Sequence, residues 1–331
     1  MSAKLRAGLV GMGAMGRNHG RILSGLPGVE LVAVVDPALA GQEVLGGVPA
    51  IETLDELLER GVDYVTVACP TILHEPVGLQ LAEAGVHAFI EKPVAHSVEA
   101  AQKLVAAFGD SGLVAGVAHI ERYNPALQSL RARLAEGELG EIHQVVTRRQ
   151  GPFPARIADV GVVMDLATHD IDLTAWITGR PYTAVSARTT RKSGREHEDM
   201  VAVVGQLQDG LIVNHLVNWL SPFKERCTVV TGEKGCFIAD TLTADLSFYA
   251  NGNVSSEWEG LRNFRGVSEG DMTRFAIAKR EPLLVEHEHF RDAVLGGESD
   301  IVTLAQGLRI VEVAAAILES ARTGQTVNIV S

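Results

Sequence analysis

Leu5-Arg6-Ala7-Gly8-Leu9-Val10-Gly11-Met12-Gly13-Ala14-Met15-Gly16 decides the fold of the first third of the chain. An apolar run of strand length leads into glycines spaced G-x-G-x-x-G, and residues 14–24 then follow a helical period. A second apolar run, 31–36, ends on Asp36, 20 residues after Gly16. The glycines alone carry little weight; strand, glycine turn, helix, strand and terminal acid in that order carry much more. The glycines let backbone amides approach a pyrophosphate at the positive end of a helix, and the acid accepts hydrogen bonds from ribose hydroxyls. Gly11, Met12, Gly13, Ala14, Met15, Gly16 and Asp36 are therefore expected to hold a dinucleotide. Asp36 repels a 2′-phosphate, and Pro37, Ala38 and Leu39 offer no cation to hold one, so NAD is expected over NADP. The alternative is a glycine turn with a purely structural role.

Outward from this stretch, short apolar runs at 5–10, 31–36, 64–68, 87–90 and 113–117 alternate with amphipathic segments at 14–24, 53–60, 75–84 and 97–108. That rhythm predicts an α/β domain over 1–120, a parallel sheet with helices on both faces. Ser97, two residues before Glu99, reads as an N-cap, and Gly61 and Gly85 follow helix ends. After Glu121 the pattern changes. A helix from Pro125 to about Glu136 is followed by alternating segments at 142–150, 182–190, 200–207, 211–219, 227–231 and 237–240, with turns at Gln208-Asp209-Gly210 and Gly232-Glu233-Lys234-Gly235. One helix, 160–178, is inserted among them, and 286–321 is helical again, free to pack on either domain. Residues 121–331 are thus expected to form an α+β domain with a large, mainly antiparallel open sheet.

Composition narrows the function classes. Hydrophobic residues make up 46% and charged residues 21%, which removes disordered and fibrous classes. With 29 basic against 41 acidic residues the net charge is −12, so a nucleic acid partner is not expected. No run approaches the roughly 20 apolar residues of a membrane span, and the glycine-broken N-terminus does not read as a signal peptide. Cys69, Cys227 and Cys236 lack the spacing of a zinc site or a disulfide framework; reduced thiols in cytoplasm are the expectation.

Three places carry chemistry. Glu91-Lys92-Pro93 closes the apolar run at 86–90, and the carboxyl ends of parallel strands are where such folds put reactive groups. Pro93 holds residue 92 extended; a solvated surface lysine is the alternative. Cys69, Pro70, Thr71 and His74 occupy the loop beyond the preceding strand, on the same edge, and are grouped with the cofactor site; the Cys69 thiol itself reads as a small apolar filler. Asp165 and His169 are four apart on the predicted 160–178 helix, with Asp172 three further on. A structural pair, a metal site and an acid/base pair all fit that spacing, and metal is the weakest because no His-Glu-x-x-His pattern is present.

Taken together, the glycine turn at Gly11 to Gly16, Pro70-Thr71 with His74, Glu91-Lys92-Pro93, and Asp165-Leu166-Ala167-Thr168-His169 resemble the glucose-fructose oxidoreductase, inositol dehydrogenase and MocA family over nearly the whole chain. The resemblance implies a Rossmann domain followed by an open-sheet domain, and NAD(P)-dependent oxidation of a secondary alcohol on a sugar or polyol. It implies Lys92 beside nicotinamide and substrate hydroxyl, His169 as the proton carrier oriented by Asp165, and Glu91 at the nicotinamide ribose. His119-Ile120-Glu121-Arg122-Tyr123-Asn124-Pro125 is similar to the version seen in UDP-N-acetylglucosamine 3-dehydrogenases. A nucleotide sugar is accordingly the expected substrate, with Arg122, Tyr123, Asn124, Arg149 and Arg156, beside Asp165 and His169, as its contacts. An inositol, polyol or free-sugar dehydrogenase, or a non-catalytic dinucleotide-bound sensor, is the alternative. The resemblance also implies a homodimer or homotetramer formed through the second domain's sheet. No metal is expected.

Overall fold

The computed structural model describes residues 4–109, 111–154, 160–252 and 269–329. Two compact units divide the chain: Met1–Tyr123 with Arg280–Ala315, and Asn124–Lys279 with Ala316–Ser331. The helical tail expected at 286–321 is two helices, and its first part belongs to the first unit.

The first unit is built on β1 (Leu5–Val10), β2 (Val29–Val35), β3 (Glu43–Val44), β4 (Val48–Ile51), β5 (Tyr64–Val67), β6 (His87–Glu91) and β7 (Ala115–Ala118), in the order β3-β4-β2-β1-β5-β6-β7. All pairings are parallel except that of the short edge strand β3 with β4. The strands are continuous apolar runs because helices cover them, and Leu9, Val34, Val65, Val67 and Ile90 are all fully buried. Those helices are α1 (Ala14–Gly25), α2 (Leu54–Glu59), α3 (His74–Glu83) and α4 (Val98–Gly109). Thr53 caps α2 by accepting from the Glu56 amide at 3.3 Å, and Ser97 accepts from the Ala100 amide at 3.1 Å, as its position before Glu99 predicted. β1 lies between β2 and β5, so the strand order reverses there, and ligands of such sheets bind at the carboxyl ends beside that reversal. The edge pair β3 and β4 was not predicted; four residues at most per strand leave no readable period.

The second unit opens with α5 (Pro125–Ala135), for which Asn124 is the N-cap and Pro125 the first residue. Its sheet contains β8 (Ile142–Pro152), β9 (Tyr182–Thr190), β10 (Met200–Leu207), β11 (Ile212–Asn218), β12 (Leu220–Gly232), β13 (Gly235–Asp240), β14 (Asp245–Asn251), β15 (Glu269–Arg274) and β16 (Val327–Asn328). The order is β15-β14-β13-β12-β8-β11-β10-β9-β16, antiparallel apart from β8 with β11. Both predicted turns are present: Asp209 and Gly210 take positive φ of 63° and 82°, and Glu233-Lys234 join β12 to β13. Along β10 and β11, residues 201, 203, 213, 215 and 217 are buried while 202, 204, 212 and 216 are exposed. The buried face packs under α5 and α6 (Thr168–Thr178). The opposite face leaves Val204, Ile212 and Leu216 exposed.

α7 (Pro282–Val294) lies wholly in the first unit, and α8 (Leu304–Thr323) starts there and ends in the second. Among the described residues no helix is long and apolar enough to cross a membrane.

Candidate active site

The carboxyl edge of the first sheet gathers the predicted nucleotide residues. Gly11 follows β1 with φ of +91°, and a side chain there would meet the Ala68 carbonyl oxygen at 2.7 Å, so only glycine fits. A side chain on Gly16 would run into the Gly11 carbonyl, which keeps the first turn of α1 tight against the loop. Gly13, by contrast, faces open space. It is the N-cap of α1, makes no side-chain cap, and is followed by no acidic residue in the first turn. The amides and positive dipole of that helix end are thus left to an anion, which fits the pyrophosphate of NAD.

Asp36, at the end of β2, accepts from the Met12 amide at 2.8 Å and from the Ala38 amide at 3.0 Å. It therefore pins the glycine turn, a duty that spacing alone did not reveal. Met15 and Ala14 begin α1 beside it.

The next two strands deliver the Cys69 and Lys92 loops, and His74 ties them together. His74 is 1% exposed; its Nδ1 lies 3.0 Å from the Pro93 carbonyl and its Nε2 3.1 Å from that of Cys69. A neutral ring donates to one of these and an imidazolium to both. Burial pushes the His74 pKa down against the pull of the two carbonyls and the Glu91 charge. Burial also pushes the Cys69 thiol up to about 12, so it is a protonated, unreactive filler. Pro70 and Thr71 form the intervening loop and lead into α3.

Lys92 is half-buried at the end of β6, and the Lys92–Pro93 peptide is cis. Glu91 points inward and is 6% exposed. One of its oxygens lies 2.8 Å from His19 Nε2, and the other accepts the Lys92 amide at 2.9 Å. Burial alone would raise the Glu91 pKa; the hydrogen bond from His19 and the nearby positive charge of Lys92 outweigh it and hold the carboxyl below its usual range. Behind it, His19 Nδ1 sits 2.8 Å from His287 Nε2. Sequence reasoning passed over both histidines. Their only local signal is a polar ring on the buried side of an amphipathic helix, with Gly16, Gly20 and Leu23 beside His19 and Leu283 and Phe290 beside His287.

In the second unit, the helix predicted at 160–178 begins with a π-turn over Val163–Ala167 before α6. Asp165 lies in the π-turn and His169 in α6, so the pair spans a change of helical pitch instead of one regular face; single π-turns recur at functional sites. Asp165 is 7% exposed and His169 half-buried. Glu198 secures the start of this segment, its carboxylate accepting the Val163 amide at 3.1 Å and its carbonyl the Val162 amide at 3.0 Å. Asp172 is buried further along α6. Among the described residues no group of three His, Cys, Asp or Glu side chains is arranged to hold a metal ion.

The residues expected to touch substrate fall in different settings. Arg122 is buried in the first unit with Nη1 3.3 Å from Gln306. Tyr123 packs edge-on against His289 and donates to the Asp300 carbonyl at 3.1 Å. Asn124 caps α5, accepting from Ala126 at 3.0 Å and donating to the Thr241 carbonyl at 3.0 Å. Arg149 is 2% exposed on the helix-covered face, its Nε 3.0 Å from Asp170, whereas Arg148 is on the open face beside Glu225. Arg156 lies outside the described residues.

Comparison with known proteins agrees with this architecture. Residues 5–119 match the family described as "Oxidoreductase family, NAD-binding Rossmann fold", and residues 127–238 match "GFO/IDH/MocA C-terminal domain". Inositol 2-dehydrogenase 4 of Saccharopolyspora erythraea is 30% identical over 69% of this chain and 71% of its own. UDP-N-acetylglucosamine 3-dehydrogenase of Acidithiobacillus ferrooxidans is 29% identical over 88% of both chains. The solved structure of that enzyme superposes with a TM-score of 0.82 at 25% identity, covering 97% of this chain and 98% of the other. GenD2 from gentamicin A biosynthesis, solved in complex with NAD, has a TM-score of 0.81 at 27% identity, with coverage of 100% and 98%. The chain belongs to the Gfo/Idh/MocA family of NAD-binding oxidoreductases.

Proposed function

We propose that this NAD-dependent dehydrogenase interconverts a secondary alcohol and a ketone on a sugar carried by a nucleotide, with UDP-N-acetylglucosamine, oxidised at its 3-position, as the leading candidate. The observation that carries the reaction class is Lys92, half-buried at the carboxyl end of β6 on the same sheet edge as the glycine turn and Asp36. Bound NAD supplies a hydride acceptor at its nicotinamide ring. The chain's own groups handle the proton: His169 takes it from the substrate hydroxyl, Asp165 orients the imidazole, and the Lys92 ammonium stabilises the developing alkoxide. Reversal reduces a ketone. Among the proposed substrate contacts, Arg122 keeps that role, while Tyr123 and Asn124 act through the packing and cap described above.

A free polyol such as inositol is the second reading. The pairing of Arg149 with Asp170 favours it, because a neutralised guanidinium offers less to a diphosphate. The experiment is NAD reduction across UDP-sugars, free sugars and inositols, repeated with Lys92→Ala and His169→Ala. Both variants should lose at least about 100-fold in kcat; wild-type turnover in both would defeat the catalytic assignment. Faster turnover of inositol or glucose than of UDP-N-acetylglucosamine would select the second reading.

The exposed strip of Val204, Ile212 and Leu216 on the open sheet face supports a second copy of the chain as its cover. A monomer by light scattering at micromolar concentration would exclude that. The free thiols of Cys69, Cys227 and Cys236 accord with a reducing compartment such as cytoplasm.

A further inference from the structure

Glu91, His19 and His287 form a buried line of hydrogen bonds that ends on the backbone of Lys92. The three side chains come from β6, α1 and α7, all in the first unit, and none is more than 6% exposed. Phe89, two residues before Glu91 on the same strand face, meets both histidine rings edge-on, at 6.1 Å from His19 and 5.3 Å from His287, and stacks on Phe290 at 4.7 Å. The rings are therefore held by packing as well as by hydrogen bonds.

With both imidazoles neutral, proton bookkeeping along the line has one self-consistent solution. An ionised Glu91 accepts only, so its first oxygen takes a proton from His19 Nε2 and its second takes the Lys92 N–H. His19 Nδ1 then accepts, and His287 Nε2 must donate to it across 2.8 Å. That leaves His287 Nδ1 as a bare nitrogen, and this atom is the one in the line with no hydrogen-bond partner. The opposite arrangement would bury an N–H there without an acceptor, which is the costlier defect.

We infer that His19 is a positioning residue for Lys92: it holds the Glu91 carboxylate in the one orientation that receives the Lys92 amide, and His287 locks the His19 tautomer from behind. Because α1 is also the helix whose N-terminus receives the pyrophosphate, the same element that seats the cofactor sets the lysine. Both Glu91 oxygens are engaged inside the protein and the side chain is buried, so the role assigns Glu91 to Lys92 and away from a ribose. The proposal rests on the catalytic reading of Lys92 only for its effect on turnover; the hydrogen-bond line stands or falls separately.

Two measurements test it. Long-range ¹H–¹⁵N spectra of the wild-type histidines should show His19 and His287 both protonated at Nε2 and bare at Nδ1, and the Lys92 amide should exchange at least about tenfold faster in Glu91→Gln than in wild type. These readouts need no substrate, so they survive a wrong substrate class. In turnover, His19→Leu should lower kcat about 10- to 100-fold, the penalty of a misplaced catalytic group. Its NAD Kd should stay within about twofold, and His19→Gln, which keeps a donor toward Glu91, should recover most of the loss. A His19 bare at Nε2, or an unchanged Lys92 exchange rate in Glu91→Gln, would overturn the line even if every variant folds and no substrate is found. Equal loss in the leucine and glutamine variants, or loss of NAD affinity in place of kcat, would overturn the positioning role.

Discussion

Lowering the pH from 7 to 5 should weaken the second unit through one buried imidazole, His215 on β11. Its ring is 2% exposed and sits between Thr147 Oγ1 at 2.7 Å and the Tyr182 hydroxyl at 2.8 Å. Burial alone pushes its pKa from 6.5 down to about 3. The folded-state value is depressed, so the neutral ring's contribution is complete above the unfolded value near 6.5 and is lost as pH falls toward 3. Within that window the slope is about 1.4 kcal/mol per pH unit, which gives about 2 kcal/mol lost between pH 7 and pH 5. The perturbation is His215→Gln, which keeps polar atoms but does not titrate. The variant should cost about 1–3 kcal/mol at pH 7 through imperfect hydrogen bonds, and that gap should shrink by about 2 kcal/mol at pH 5. Urea unfolding followed by the fluorescence of Trp176 and Trp219 reads the unit that contains His215. His74 and His287, whose pKa values burial also lowers, titrate equally in both proteins and cancel in the difference. A wild-type-to-variant gap that is the same at pH 7 and pH 5 would refute the reasoning.

Other perturbations test the cofactor edge and the second unit's core. Gly16→Ala puts a methyl into the Gly11 carbonyl and should weaken NAD binding by at least about tenfold, or 1.4 kcal/mol, in a fluorescence titration. Asp36→Ala releases the Met12 and Ala38 amides and removes the charge that repels a 2′-phosphate. The preference for NAD over NADP should fall about 10- to 100-fold, as expected for losing charge-assisted hydrogen bonds of about 1.5–3 kcal/mol; an unchanged ratio of the two Kd values would count against the role of Asp36. Arg149→Met takes the cation from buried Asp170 and should cost about 3–5 kcal/mol of unfolding free energy, with Arg149→Met/Asp170→Leu recovering most of it. A loss confined to KM for a nucleotide sugar, with stability unchanged, would instead place Arg149 at the substrate.

Much of the scaffold was legible because its signals are local. The glycine turn, the continuous apolar strands of the first sheet and the strict alternation along β10 and β11 each repeat within a few residues, and a residue's face follows from its period. The N-cap Ser97 and the Gln208–Gly210 turn are equally short-range. Element ends moved where pairing partners decide them: β6 extends one residue further, through Glu91, and β12 runs from Leu220, seven residues earlier than 227, because β8 continues beside it.

The sequence by itself determined the two-part α/β and antiparallel plan, the dinucleotide turn with its acid, and which short motifs carry reactive side chains. Only the tertiary structure decided what those side chains do with their hydrogen bonds. His19 reaches Glu91 across 72 positions and His287 across 268, Arg149 meets Asp170 from a strand to a helix, and Glu198 secures a π-turn 35 residues before it. Helix and strand periods encode which face is buried, but a buried polar group takes whichever partner the fold brings within about 3 Å. That choice depends on how helices pack across a sheet, and no local pattern records it.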